Sequence, residues 1–155
     1  SDYKKVKINT EDYASVFIKF ENGARGVFTV SQVSPGRKNR LWFEIDGSYS
    51  SLVFDQEKPE EMWIGYRDKP NEILVKDPSI LHKEAKPYAH YPGGHPEGYP
   101  DGPKNFFKNF YKFILEGKDP LKDKCNFAIF KDGHYEILIC EAILKSLKSK
   151  KWIKV

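Results

Sequence analysis

A histidine and two carboxylates stand close together in the segment Tyr91–Asp101, at His95, Glu97 and Asp101. Imidazole titrates near neutral pH, so this trio could perform acid–base chemistry or hydrogen-bond the hydroxyl groups of a substrate. The surrounding glycines and prolines disfavour regular helix and strand and predict a rigid polar loop, which is a common location for binding residues. The same composition is also typical of a solvent-facing connector. No nucleophile motif accompanies the trio, which favours substrate contact over proton transfer.

The same region raises the question of a metal site, since its histidines and carboxylates include His82, His90, His95, Glu97 and Asp101. Zinc ligands usually occur as short regular pairs such as Cys-x2-Cys or His-x3-His. The spacing here matches neither pair, and we expect no metal. No Gly-x-Gly-x-x-Gly follows a predicted strand and no Walker A loop occurs, so we expect this chain to bind no dinucleotide.

Alternating apolar residues predict a strand-rich first half. The predicted strands are Tyr13–Phe20, Ala24–Val33, Leu41–Ile45, Tyr49–Phe54, Met62–Tyr66 and Ile73–Val75. Asn22-Gly23 predicts a tight hairpin turn between the first two. That hairpin is apolar on both faces, with Phe17 and Val27 on one face and Ile18 and Phe28 on the other. Both faces of the sheet therefore require cover.

Two helices and a short closing strand are predicted after the loop. Asp101 is the expected cap of the first helix, which has Pro103 in its first turn and ends near Gly117. Its apolar stripe consists of Phe106, Phe110, Phe113 and Ile114. The second helix is expected from Asp132-Gly133 to about Ser149, and the strand at Trp152–Val155. Two helices suffice for one face of the sheet, so a second subunit or another domain would cover the other.

Length and composition exclude several classes of protein. The 155 residues fit one domain. No apolar run approaches the roughly 20 residues needed to cross a bilayer, so we expect no membrane contact. The net charge of +4 comes mainly from lysine, and without an arginine-rich stripe we expect no nucleic-acid binding.

The termini and cysteines give weaker indications. The two cysteines form no Cys-x-x-Cys pair and the N-terminus is polar, which favours a cytoplasmic location. The chain opens with Ser1-Asp2 and its only methionine is Met62, which favours a piece of a longer protein.

Four segments resemble the C-terminal domain of the Gfo/Idh/MocA oxidoreductases, the glucose-fructose oxidoreductase and inositol dehydrogenase family. Residues 12–26, running on to Ser31-Gln32, resemble the first sheet hairpin of that family, and residues 36–47 resemble the strand after it. Gly-Gly-His-Pro-Glu-Gly at 93–98 with the Phe-rich helix resembles the loop and helix of a sugar-dehydrogenase-like branch. The stretch from Phe127 to Val155 resembles the final helix and strand. Together these segments span almost the whole chain.

The resemblance implies an α+β fold, with an open, largely antiparallel mixed sheet and helices packed on one face, as in the C-terminal domains of dihydrodipicolinate reductase and GAPDH. It implies that residues 1–155 are a single substrate-binding and oligomerisation domain, without the Rossmann domain that binds NAD or NADP. It also implies a homo-oligomer, dimer or tetramer, formed through the exposed sheet face.

For the site, the resemblance implies that His95 faces a sugar or polyol substrate, with Glu97, Arg37 and Asn39 as weaker candidates. The hydride chemistry of the family relies on a lysine in the Rossmann half and often on an Asp/His pair near the domain junction. Neither motif is present, so no catalytic residue is assigned to this chain and we expect it to be inactive alone. Two alternatives stay open: a free-standing interaction module that uses the sheet for assembly, and a hydrolase centred on His95 and Glu97.

Overall fold

Within residues 3–155, the part of the chain that this computed structural model describes, six strands come first and two α-helices last. The strands are β1 (Tyr13–Lys19), β2 (Arg25–Ser31), β3 (Trp42–Asp46), β4 (Ser50–Asp55), β5 (Glu61–Tyr66) and β6 (Glu72–Val75). A short 3-10 helix (Lys86–Tyr88), α1 (Asp101–Leu115) and α2 (Phe130–Ser149) follow. All pairing between the described strands is antiparallel, in one sheet of order β1-β2 and another of order β3-β4-β5-β6. The expected α+β class with open sheets is confirmed.

The described chain divides into two units. The first comprises the residues up to Lys38 together with Glu136–Val155, and it contains β1, β2 and most of α2. The second comprises Asn39–Tyr135, and it contains the four-stranded sheet, the 3-10 helix, α1 and the loop between β6 and α1.

The first unit is built on the predicted hairpin. Gly23 takes a φ of 89°, and its amide donates to the carbonyl of Phe20 at 3.0 Å. Asn22 does not take a positive φ, so the predicted tight primed turn does not form; the amide of Phe20 instead donates to the carbonyl of Ala24 at 2.9 Å across a three-residue loop. The register places Phe17 opposite Val27, which confirms that these two apolar residues share a face. Both are largely exposed, at 73 % and 62 %.

The end of the first unit differs from the sequence prediction. Trp152–Val155 is not a strand. Lys150 takes a left-handed φ of 57° where α2 ends, and the carbonyl of Lys151 accepts a hydrogen bond from the Ser146 hydroxyl at 2.7 Å. The tail then meets the hairpin through side chains, with the Lys19 ammonium 4.2 Å from the Trp152 ring. A cation–π contact therefore takes the place of the predicted backbone pairing.

The helix starts also differ from prediction. Asp101 is the first residue of α1 rather than its cap; the cap position is Pro100, which makes no side-chain hydrogen bond to the helix. The end near Gly117 is confirmed, since Gly117 has a φ of 65°. α2 begins two residues before the predicted Asp132. That carboxylate accepts a hydrogen bond from the amide of Ile129 at 2.8 Å, as the third residue of a capping box does.

The second unit holds a four-stranded meander and an aromatic cluster. In the sheet, Phe43 lies opposite Phe54 with ring centroids 5.4 Å apart, and the residues of β4 after Ser50 are half-buried. In the cluster, Phe113 of α1 packs edge-on against Phe127 at 5.3 Å and is 7 % exposed. Phe106 and Phe110 also contact Phe127. Phe113 is thus the best-buried aromatic side chain in the described part of the chain.

Replacing Phe113 with alanine should lower the free energy of unfolding by about 3 kcal/mol, because it removes a buried ring from its packed partner. Phe130→Ala is the control, since Phe130 is 99 % exposed and its loss should change stability by less than about 0.5 kcal/mol. Urea denaturation of both variants measures the difference. Equal destabilisation would contradict the assignment of Phe113 to the core.

Candidate functional site

The loop between β6 and α1 carries the candidate residues and belongs entirely to the second unit. Its turn is formed by Gly94, whose φ is 79°, and by a hydrogen bond from the amide of His95 to the carbonyl of Pro92 at 3.2 Å. A glycine suits this left-handed position because it has no Cβ to clash. At the end of the loop the amide of Gly98 donates to the Asp101 carboxylate at 2.8 Å. The sequence prediction of a fixed, irregular loop agrees with these contacts.

The loop is attached to the sheet through Lys76, the residue directly after β6. Its ammonium group donates to Glu60 Oε2 at 2.9 Å, to Glu97 Oε1 at 3.1 Å and to the carbonyl of His95 at 2.9 Å. A lysine ammonium has three donors, so these three acceptors use all of them. The Lys76 side chain is 12 % exposed. A partly buried ammonium needs charged partners of this kind to offset its desolvation.

Glu97 receives hydrogen bonds from three groups. In addition to Lys76, the amides of His90 and Tyr91 donate to its Oε1 at 2.8 Å and 3.1 Å. The amide of Glu97 itself donates to Glu60 Oε1 at 2.7 Å. Glu97 Oε2 is buried without a hydrogen-bond partner among the described residues. The Glu97 carboxylate therefore binds backbone amides of its own loop in addition to Lys76.

These contacts determine the charge states of Glu97 and Lys76. Burial opposes ionisation of Glu97, but hydrogen bonds from the His90 amide, Lys76 and the Tyr91 amide outweigh it and hold the pKa of Glu97 below its ordinary value. Burial likewise opposes the charge on Lys76, and the hydrogen bonds to Glu60 and Glu97 outweigh it, so the pKa of Lys76 is raised. The pair is thus ionised across the neutral range.

His95 is exposed at the tip of this loop. Its Nδ1 lies 3.4 Å from the carbonyl of Gly93. A carbonyl can only accept, so this weak contact favours the proton on Nδ1. Nε2 of a neutral ring is then left as an acceptor facing outwards. Such an atom can accept a hydrogen bond from a substrate hydroxyl group.

A shallow groove of about 500 Å³ lies beside the loop. Gly93 and Gly94 of the loop line it, together with residues of β6 and of the segment after it. These are the apolar Ile73, Leu74, Val75 and Ile80 and the charged Lys76 and Asp77. The Asp77 carboxylate accepts two hydrogen bonds from Ser79 through Oδ1, which lower the pKa of Asp77. The volume is within the range of small-ligand sites.

The other two candidates, Arg37 and Asn39, stand before β3 in the chain. Arg37 belongs to the first unit, and its amide donates to the carbonyl of Ser34 at 3.3 Å. Asn39 is the first residue of the second unit and takes a left-handed φ of 53°. Within the second unit, the structure joins His95 and Glu97 through their shared partner Lys76.

Several neighbouring polar residues brace the loop rather than face outwards. His90 Nε2 lies 2.8 Å from Asn105 Oδ1 of α1. The Tyr88 hydroxyl accepts hydrogen bonds from Asn109 and Asn126 at 3.1 Å and 3.2 Å.

Among residues 3–155, no three His, Cys, Asp or Glu side chains come together as metal ligands would. No helix in this described range is long and apolar enough to cross a membrane.

Sequence reasoning missed Lys76 and Glu60. Both are charged residues at strand ends, where solvated lysine and glutamate are common, and nothing in their spacing distinguishes them. The only available signal was their position immediately beside apolar strands, which does not identify the third partner, Glu97.

The family model described as an oxidoreductase family C-terminal alpha/beta domain, of the Gfo/Idh/MocA group, matches residues 1–155. The chain belongs to this family. Levoglucosan dehydrogenase of Pseudarthrobacter phenanthrenivorans is 27 % identical over 156 residues, which cover 97 % of this chain and 38 % of that protein. The chain thus spans well under half the length of this relative.

Solved structures of similar proteins agree with this membership of the Gfo/Idh/MocA family. A levoglucosan dehydrogenase in complex with NADH and levoglucosan has a TM-score of 0.82 at 26 % identity, over 97 % of this chain and 40 % of its own. An oxidoreductase from Sinorhizobium meliloti has a TM-score of 0.81 at 26 % identity, over 92 % of this chain and 41 % of its own. The expected family and fold are therefore confirmed.

The lowered pKa of Glu97 predicts how this domain responds to acid. A carboxyl group with a depressed folded-state pKa contributes stability above its unfolded pKa, near 4.5, which is lost as the pH falls through the lower folded value. The amide proton shifts of His90 and Tyr91 should therefore titrate together, with a midpoint below 4.5, in a heteronuclear NMR series. In Glu97→Gln this shared step should be absent. A shared midpoint above 4.5 in the unmodified chain would contradict the assigned ionisation.

Proposed function

We propose that this chain is the substrate-binding and oligomerisation domain of an NAD(P)-dependent sugar or polyol dehydrogenase. The observation that carries the proposal is the exposed imidazole of His95 on a fixed loop, within a domain whose whole length matches this oxidoreductase family. The similarity to a levoglucosan dehydrogenase supports a hydroxyl-rich substrate. In the intact enzyme, hydride would pass between a carbinol carbon and the nicotinamide.

The cofactor would be held outside this chain. A dinucleotide cradle places a glycine-rich turn between a strand of a parallel sheet and a helix N-terminus. The described sheets are antiparallel, and neither α1 nor α2 directly follows a strand. The residues present do not fit NAD or NADP, and we assign this chain no step of the hydride transfer. The relative solved with NADH supports a nicotinamide cofactor for the longer protein.

His95 would bind the substrate rather than catalyse. Nε2 accepts a hydrogen bond from a sugar hydroxyl, and the adjacent groove of about 500 Å³ provides apolar residues for the C–H face of a ring. Arg37 and Asn39 remain secondary candidates for substrate contact. Glu97 also belongs to this candidate set, but its Oε1 already accepts three hydrogen bonds. A hydrolase centred on His95 and Glu97 is less supported for that reason.

Exposed apolar faces support assembly with a second copy of this chain. Phe17 and Val27 form such a face on the hairpin. Trp42 and Ile45 of edge strand β3 are also exposed. Large exposed apolar patches mark interaction surfaces. The same observation supports the second candidate function, a sheet-mediated interaction module without catalysis.

Free Cys125 and Cys140, together with nicotinamide chemistry, fit a cytoplasmic location.

Replacing His95 with alanine in the intact protein should raise the KM for levoglucosan about fivefold, since one hydrogen bond contributes on the order of 1 kcal/mol. Initial rates of NAD⁺ reduction measure this, with a panel of other sugars and polyols if levoglucosan is a poor substrate. His82→Ala is the control, because His82 lies exposed on the segment before the 3-10 helix. Unchanged KM and kcat in His95→Ala would contradict a substrate role.

Replacing Phe17 with glutamate should dissociate the assembly, because a charge would be buried in an apolar contact. Sedimentation velocity should show an oligomer for the unmodified protein and smaller species for Phe17→Glu. Tyr49→Glu is the matched control, since Tyr49 is 85 % exposed at the turn between β3 and β4. A monomeric unmodified protein at every concentration would exclude the proposed assembly.

A further inference from the structure

We infer that Lys76 is a positioning residue for His95, acting through an ion-pair clamp formed by Lys76, Glu60 and Glu97. This inference rests on the proposed function of His95 in binding substrate. It deepens that function by assigning the orientation of His95 to a lysine whose three donors are all used within the protein.

The lysine end of the clamp is fixed by the sheet. The amide of Lys76 donates to the carbonyl of Glu60 at 2.8 Å, which extends the pairing of β5 and β6 by one step. The side chain then turns to the loop and binds the carbonyl of His95 itself at 2.9 Å. The sheet thus restrains the backbone of the residue whose ring is exposed.

The carboxylate end of the clamp fixes the rest of the loop. Glu97 Oε1 accepts from the amides of His90 and Tyr91, and Glu60 Oε1 accepts from the amide of Glu97. None of these groups is part of a helix or strand, so the clamp satisfies backbone donors that regular structure leaves open. The loop is bound on both sides of His95.

The charges explain why a lysine is required. Glu60 and Glu97 both bind one ammonium, and their side chains are only 21 % and 17 % exposed. Without Lys76, two half-buried carboxylates would face each other and repel, because like charges in partly desolvated sites are costly. The loop would then move away from the sheet, and the His95 ring would lose its position.

Lys69 provides a control for the loss of the lysine charge. Lys69 also forms an ion pair at the same sheet edge, with Glu72 at 2.8 Å, but its side chain is 49 % exposed and it binds no loop group. An exposed pair contributes little to stability. Lys69→Met therefore removes the same charge nearby without touching the clamp.

The test compares KM values for levoglucosan in the intact protein, together with amide exchange of the His90 and Tyr91 amides. Lys76→Met should raise KM about as much as His95→Ala does, with kcat lowered less. The double variant should be no worse than His95→Ala alone, because both act through one ring. Exchange at His90 and Tyr91 should become faster in Lys76→Met and stay unchanged in Lys69→Met. Lys76→Arg, which keeps the charge, should recover part of the KM.

The outcomes separate the two proposals. If His95→Ala raises KM but Lys76→Met does not, or if their effects add, the positioning role is overturned while the substrate role of His95 stands. If His95→Ala leaves KM unchanged, the substrate role fails and the positioning role fails with it. Unchanged amide exchange in Lys76→Met overturns the clamp regardless of activity. Should Lys76→Met not fold, Glu60→Gln provides the comparison, because it alters the sheet end of the clamp at a residue that is not a substrate candidate.

Discussion

One ammonium group, that of Lys76, joins three segments that are distant along the chain: the residue before β5, the end of β6 and the loop at 90–97. A half-buried charge is costly unless every donor finds an acceptor, and here all three do. The same arrangement makes the site sensitive to the loss of Lys76, because two partly buried carboxylates would then be left without their cation. The loop can therefore be ordered without belonging to a helix or strand, and its order depends on electrostatics rather than on apolar packing.

Apolar packing is in fact scarce in this chain. Phe113 and Ala142 are the only hydrophobic side chains classed as buried among the described residues. Many large apolar side chains are exposed, among them Phe17 at 73 % and Ile45 at 58 %. Apolar surface of this extent favours contact with further polypeptide, whether a second copy or another domain. The short coverage of its relatives, 38 % to 41 %, agrees with that requirement.

Local sequence patterns predicted most of the helices and strands. They did not predict the contacts between residues that are distant along the chain. The period-two alternation in β1 and the Asn22-Gly23 signal depend on neighbouring residues, so the hairpin and the shared face of Phe17 and Val27 followed from sequence. The tail at Trp152–Val155 has the composition of a strand, but it pairs with no strand in the described part of the chain, and its Trp152 ring contacts Lys19 instead. For the site, glycine and proline indicated the loop and the exposure of His95. The partners of Glu97 lie 21 and 37 residues away, at Lys76 and Glu60, and no periodicity connects them.

The ion pairs that fix the loop involve other side chains than the exposed ring of His95. The pKa of Glu97 is lowered and that of Lys76 is raised, so the ion pair of these two residues loses a charge only in acid below the ordinary glutamate range or in base above the ordinary lysine range. Across the interval between them, the backbone around His95 keeps the same anchors. The order of the loop therefore does not depend on the hydrogen bonds that the exposed imidazole makes. For the proposed role of His95, this means that the free energy that positions the ring is supplied by the scaffold and not by substrate binding.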